Sequence, residues 1–248
     1  MAVPHRSYVP PGGDPVVDPD ESKPGPDTLV HHYAETAHAY ERRPIDVVLR
    51  SLDLLIGSLA LVLAVPLCLL IAVALRVSAP GSPTLYRGRR VGRAGHLFQM
   101  LKFRTLAPDA EQRLGPYLGA ELTQLTSQEV TRLGRVLRAS KLDELPQLFN
   151  VLRGHMSLVG PRPIRPAFFA ELCQEIPQYW QRLVVRPGLT GLAQLRMTRE
   201  MTWAEKLAHD LEYIADRSVS LYLSVILTTI WLLLFRPANR RSQLHRLP

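Results

Sequence analysis

Between Leu54 and Leu75 the chain runs for 22 residues without a charge, and Pro66 sits in the middle of that run. As a helix the run would reach about 33 Å, enough to cross a hydrocarbon core of roughly 30 Å. Proline removes one helical hydrogen bond and crowds the preceding turn, so it kinks or breaks a helix. The two arms on either side of Pro66, about 18 Å and about 14 Å long, each fall short of a span. Arg42, Arg43 and Arg50 precede the run, and Arg76, Arg87, Arg89, Arg90 and Arg93 follow it. Positive residues favour the cytoplasmic face. A helix that enters, turns at Pro66 and leaves by the same face satisfies both clusters, whereas a straight span leaves one of them outside. Residues 41–78 are therefore expected to form a re-entrant membrane helix hairpin broken at Pro66. Asp53, at its mouth, is expected to pair with Arg50 or to cap the helix start, because a lone carboxylate in lipid is costly. The run begins too far into the chain, and lacks a nearby small-residue cleavage site, to read as a secretory leader.

The rest of the chain divides around this segment. Residues 1–40 are rich in Pro, Gly, Asp and Ser, bury too little apolar surface to offset chain entropy, and read as a disordered tail. Residues 79–218 read as a small cytosolic domain, mixed α/β and helix-rich. It begins with a short β-hairpin over 84–106, turned at Gly92 and Gly95. Helices are expected over 109–139, then from Ser140 as an N-cap with Asp143 at its third position. Further helices are expected over 167–183 and 203–217, with a loop at Arg186–Gly191. Val219–Phe235 is a second uncharged run, of 17 residues, followed by a basic tail with Arg236, Arg240, Arg241 and Arg246. It is short for a span, and the sequence leaves open whether it crosses the membrane, lies on it or packs on the domain.

The formal charge is +8, with −3 in the first 30 residues and +11 in the remainder. A basic body suits phosphates, anionic headgroups or nucleic acid. Nucleic acid is disfavoured by the apolar run and by the shortage of aromatics near the basic clusters. The two cysteines, Cys68 and Cys173, form no C-x-x-C pair, so neither a zinc motif nor a disulfide framework is indicated.

Asp143 and Glu144 are adjacent, among Arg132, Arg135, Arg138, Arg153 and Arg162. Arg135 and Arg138 share a helix face, and guanidinium forks suit phosphate oxygens. A carboxylate beside such groups can be a nucleophile, a Mg²⁺ ligand or half of a surface ion pair. Composition alone does not choose among these.

Six strings occur in order: Arg90-Val91-Gly92-Arg93, Lys102-Phe103-Arg104-Thr105, Leu142-Asp143-Glu144-Leu145-Pro146-Gln147-Leu148, Asn150-Val151-Leu152-Arg153-Gly154, Met156-Ser157-Leu158-Val159-Gly160-Pro161-Arg162-Pro163, and Pro187-Gly188-Leu189-Thr190-Gly191-Leu192-Ala193-Gln194. Together, over roughly residues 42–235, they resemble the bacterial sugar transferase family, monotopic phosphoglycosyl transferases of the cytoplasmic (inner) membrane. The resemblance implies that Asp143 attacks the β-phosphorus of a UDP-sugar, that UMP leaves, and that a polyprenyl phosphate such as undecaprenyl phosphate then takes the sugar-1-phosphate from an aspartyl intermediate. It implies Mg²⁺ as cofactor, held by Glu144, and Arg138, Arg162, Lys102 and Arg104 as phosphate binders. The product would open assembly of an exopolysaccharide, capsule or glycoconjugate. The rival readings are an inactive relative, a non-catalytic membrane-anchored assembly protein, or a glycosyl transferase that releases nucleoside diphosphate. Five positions depart from the family pattern: His155 stands for an Asp, Gly88 for a Gln, Met197-Thr198 for a Gly-Arg pair, and Tyr222 for an Asp. Gly188 and Gly191 are expected to serve backbone geometry.

Overall fold

The computed structural model describes residues 43–108, 110, 128–197 and 201–235. The expected tail over 1–40, most of 109–127, the departure at Thr198 and the basic tail after Phe235 lie outside them.

The uncharged run lies within one unbroken helix, α1 (Ile45–Ser78), which continues through Pro66. The expected break at Pro66 is therefore not what the structure shows, and the reason lies in packing. The buried positions Leu49, Asp53, Gly57, Ile71 and Leu75 join the half-buried Ala60, Ala64 and Cys68. They recur every three or four residues and form one stripe along the whole helix. Pro66 faces outward, so it forfeits one backbone hydrogen bond without ending the helix. Both ends are tied to the same body. Arg50 donates to the carbonyls of Val151 (2.8 Å) and Leu152 (3.0 Å), and Arg104 donates to that of Leu75 (3.3 Å). The basic clusters at the two ends thus stay on one domain without a turn between them. The outward side, with Leu55, Leu59, Val62, Leu63, Leu69, Leu70, Val73 and Val77, is exposed and apolar. Among the described residues α1 is the one helix long and apolar enough to cross a membrane.

The body follows the expected order in most places. Strands β1 (Leu85–Val91) and β2 (Leu97–Phe103) form an antiparallel hairpin, with Leu85 opposite Phe103 and Val91 opposite Leu97. Helix α2 (Arg132–Ser140) leads into a 3₁₀ turn at Leu142–Glu144 and then α3 (Gln147–Leu152). Ser140 does not cap a new helix. It closes α2, its hydroxyl donating to the carbonyls of Val136 (2.8 Å) and Leu137 (3.2 Å). Strand β3 (Ser157–Val159) is followed by α4 (Pro166–Glu175) and a 3₁₀ helix at Pro177–Val184. The expected loop at Arg186–Gly191 contains strand β4 (Gly188–Thr190), which pairs parallel with β3. Helices α5 (Leu192–Arg196), α6 (Trp203–Asp216) and α7 (Val219–Phe235) complete the described chain. Tyr222 and Val225 of α7 are buried, while Leu227, Trp231, Leu234 and Phe235 remain exposed.

The main core joins α1, β2, α3, β3 and α7 through Leu49, Phe98, Met100, Leu148, Val151, Val159 and Tyr222. A smaller cluster of Ile71, Leu75, Phe103 and Leu137, with Leu142 and Leu145 against it, fixes the far end of α1 to the turn that carries Asp143.

Candidate active site

The site is built where α2, the end of β2 and the β3–β4 crossing converge on that turn. Helix α2 starts at Thr131, whose side chain accepts from Gly134 N–H (2.9 Å). A Cβ on Gly134 would stand 2.0 Å from the Thr105 carbonyl oxygen, so only glycine lets α2 approach the strand end this closely. The approach brings Arg138 Nε to Thr105 Oγ1 (2.8 Å). Lys141 then adopts a left-handed conformation (φ 63°) and reverses the chain into the turn. Asp143 is buried there at 6% exposure. Beside it, Glu144 Oε1 accepts from Lys102 Nζ at 2.9 Å and lies 3.7 Å from Arg162 Nη2.

Arg162 comes from the β3–β4 crossing, where three glycines meet. An added Cβ at Gly160, Gly188 or Gly191 would lie within 2.4 Å of backbone in the opposing segment. Gly188 and Gly191 thus serve close backbone approach, as expected. Arg162 Nη1 donates to Gln194 Oε1 on α5 (2.9 Å). Its carbonyl accepts from Arg182 Nη2 (2.9 Å), and the same nitrogen contacts Asp210 Oδ2 (2.7 Å). Arg182 also donates to the Tyr179 hydroxyl (2.7 Å). The Arg182–Asp210 pair is fully buried, and removing one partner of such a pair strands the other charge. Asp210→Leu is expected to destabilise the protein by about 3–5 kcal/mol, read as a drop in denaturation midpoint in detergent.

Of the six expected site residues, Lys102, Glu144 and Arg162 are in contact, and Asp143 is covalently next to Glu144. Arg138 holds Thr105 and bears on Asp143 electrostatically. Arg104 turns toward α1, and its Nη1 is buried with no partner among the described residues. Thr105, Gln194, Arg182 and Asp210 were not expected. The first two lie inside quoted strings, so their signal was present. The last two are 28 positions apart and carry no local pattern.

The electrostatics divide the two carboxylates. Burial raises the Asp143 carboxyl above the ordinary aspartate range and Glu144 adds to this, while Lys102, Lys141 and Arg138 oppose it. Burial also acts on Glu144, but Lys102 and Arg162 outweigh it and hold that carboxyl below its usual range. Burial pushes Lys102 down against the pull of Glu144. Asp143 Oδ1 is buried with no hydrogen-bond partner among the described residues. They hold no cluster of three or more His, Cys, Asp or Glu. Two adjacent carboxylates, one with an unused oxygen, fit a hard cation that completes its shell from phosphates and water.

The departures are accounted for unevenly. The His155 ring lies against Phe98, 5.7 Å between centroids. Gly88 is covered by its neighbours: a Cβ there would meet Tyr86 Oη at 2.5 Å and Arg90 Nη1 at 2.8 Å. Tyr222 donates its hydroxyl to Asp53 Oδ1 (2.8 Å). Asp53 does pair with Arg50, at 3.7 Å.

Residues 45–236 match the sequence profile of the bacterial sugar transferase family. The chain is 42% identical over 199 residues to a UDP-glucose:undecaprenyl-phosphate glucose-1-phosphate transferase of Caulobacter vibrioides, covering 76% of this chain and 70% of that protein. It is 38% identical over 184 residues to a UDP-N-acetylgalactosamine-undecaprenyl-phosphate N-acetylgalactosaminephosphotransferase of Aeromonas hydrophila, covering 73% of this chain and 42% of that protein. It is also 38% identical over 199 residues to the exopolysaccharide production protein ExoY of Rhizobium meliloti, covering 76% of this chain and 86% of that protein. The chain thus spans less than half of the Aeromonas relative. With the profile matched across α1, the turn at Leu142–Glu144 and α7, the chain belongs to the bacterial sugar transferase family and is a transferase.

Proposed function

We propose that this protein transfers a sugar-1-phosphate from a UDP-sugar to undecaprenyl phosphate or a related polyprenyl phosphate, releasing UMP, as the first membrane step of exopolysaccharide or related glycan assembly. The observation that carries this reading is the pair of buried Asp143 and half-buried Glu144, set among Lys102, Arg138 and Arg162 and fixed by Leu142 to the end of an apolar helix. The activities of the Caulobacter and Aeromonas relatives support it.

A carboxylate oxygen of Asp143 forms a bond to the β-phosphorus, and the bond from that phosphorus to the bridging oxygen breaks, so UMP leaves with the electron pair. An oxygen of the lipid phosphate then bonds to the same phosphorus, and the Asp143 carboxylate leaves unchanged. Splitting one displacement into two is covalent catalysis. Arg138, Arg162, Lys102 and Arg104 bind phosphate oxygens and offset the repulsion between an anionic nucleophile and an anionic diphosphate. Mg²⁺, bound through Glu144 with Asp143 Oδ1 beside it, would supply further charge neutralisation. The exposed apolar sides of α1 and α7 seat the domain in the cytoplasmic leaflet of the bacterial inner membrane. Because both ends of α1 are tied to the body, its outward side lies against lipid while both basic ends meet headgroups on one face. The lipid phosphate then reaches the turn without leaving the bilayer.

The nucleophile must be ionised and its carboxyl is raised by burial. In metal-free protein the Asp143 carboxyl is therefore expected to titrate above the ordinary aspartate range, while Glu144, held low, stays ionised across it. Carboxyl titration by NMR without Mg²⁺ checks this, and an Asp143 midpoint at or below that range contradicts it. The reaction itself is tested with detergent-purified protein, undecaprenyl phosphate, Mg²⁺ and a panel including UDP-glucose and UDP-N-acetylgalactosamine. UMP release that needs both lipid phosphate and Mg²⁺ supports the assignment. UDP release moves the protein to sugar transfer without the phosphate. No nucleotide release from folded protein points to an inactive relative or a non-catalytic assembly role.

A further inference from the structure

Gln194 has one half of its amide committed and the other half idle. Its Oε1 accepts from Arg162 Nη1 at 2.9 Å. A guanidinium can only donate, so the carbonyl end of the amide must face Arg162. Nε2 then points the other way, and it is buried with no hydrogen-bond partner among the described residues. A buried donor left unmade is costly, and native structures rarely keep one without a use. The backbone leaves little room for it to move. Gly191, one turn earlier, is held where an added Cβ would stand 2.2 Å from the Gly160 carbonyl oxygen. Arg162, the partner of Gln194, is itself 3.7 Å from Glu144 Oε1. Through Arg162, Gln194 is thus one hydrogen bond removed from the carboxylate site.

We propose that Gln194 is a substrate-contacting residue whose Nε2 donates a hydrogen bond to an oxygen of the UDP-sugar, on its diphosphate or on its hexose. This rests on the function proposed above. A neutral N–H donor beside an arginine fork complements the junction between a charged diphosphate and a hydroxyl-rich sugar. A purely apolar or cationic ligand offers it no acceptor. Arg104 holds the corresponding idle donor at the end of α1, where it bonds the Leu75 carbonyl.

Two variants separate substrate contact from a role confined to holding Arg162. Gln194→Glu keeps an acceptor for Arg162 but replaces the Nε2 donor with an acceptor oxygen. Gln194→Met keeps the volume and removes both. Equilibrium binding of UDP-glucose, UDP-N-acetylgalactosamine and UDP alone is measured for each variant in detergent, beside thermal unfolding and the KM for undecaprenyl phosphate. Both variants are expected to unfold near the wild-type temperature and to bind the UDP-sugar about 10- to 100-fold more weakly, with the lipid KM unchanged. An equal loss with UDP places the contact on the diphosphate, and a loss confined to UDP-sugars places it on the hexose. If Gln194→Glu binds UDP-sugars as the wild type does while Gln194→Met does not, Gln194 only positions Arg162 and the proposal falls. A shifted lipid KM with unchanged UDP-sugar binding overturns it as well. Wild-type protein that binds no UDP-sugar overturns the functional reading, and this inference with it.

Discussion

Asp143→Asn is expected to abolish turnover, by at least about 10⁴-fold, while leaving the protein as stable as the wild type or more so. The loss in rate follows from the role. An amide of the same shape cannot form the phosphoryl bond, and removal of a covalent nucleophile costs several orders of magnitude. The stability follows from the surroundings. Asp143 is buried, its Oδ1 has no partner among the described residues, and burial raises its carboxyl. A carboxyl raised in the folded state disfavours folding when ionised. The wild type is penalised at neutral pH, and the penalty fades as pH falls through the raised folded value. The neutral amide carries no such penalty at any pH. Thermal unfolding of both proteins in detergent, followed from neutral to acidic pH, should show the variant at or above the wild type at pH 7 and the gap closing on acidification. A variant that melts well below the wild type at pH 7 would mean that the Asp143 charge is matched by partners and holds the turn together. Its inactivity would then say nothing about nucleophilic attack.

Much of this arrangement was legible beforehand, and the exceptions have physical causes. Lys102, Glu144 and Arg162, singled out in three separate strings, meet in the fold. The hairpin over 84–106 and the limits of α7 followed from alternation and from an uncharged run. Pro66 misled because proline's local cost was weighed without the stripe from Leu49 to Leu75, whose packing acts along the whole helix. Ser140 misled because the reversal after α2 depends on Lys141 in a left-handed conformation, which a lysine in a sequence does not announce. Arg182 and Asp210 were invisible because only the fold brings α6 against the 3₁₀ helix at Pro177–Val184. Gln194 was visible as part of a string, but the idle end of its amide exists only in three dimensions.

Asp53→Ala is expected to cost about 3–5 kcal/mol of stability and to lower UMP release even though Asp53 is not among the groups that meet phosphate. Asp53 is 2% exposed on the packed stripe of α1. Its Oδ1 accepts from the Ser157 hydroxyl (2.8 Å), the Leu158 N–H (2.7 Å) and the Tyr222 hydroxyl (2.8 Å), and its Oδ2 lies 3.7 Å from Arg50. One carboxylate thus ties the apolar helix to β3 and α7. Alanine would strand three buried donors and leave Arg50 with only its two carbonyl partners. Asp53→Asn keeps an acceptor oxygen and should lose less. The effect on activity passes along the chain. Ser157 and Leu158 begin β3, which leads through Gly160 to Arg162, so freeing β3 loosens the distance between Arg162 and Glu144. The loss should fall on UDP-sugar binding, and raising its concentration should recover part of the rate in Asp53→Asn. Unfolding midpoints of the two variants, with UMP release titrated against UDP-sugar, separate the outcomes. Equal stability of Asp53→Ala and wild type would mean that α1 is held to the domain by its apolar stripe alone.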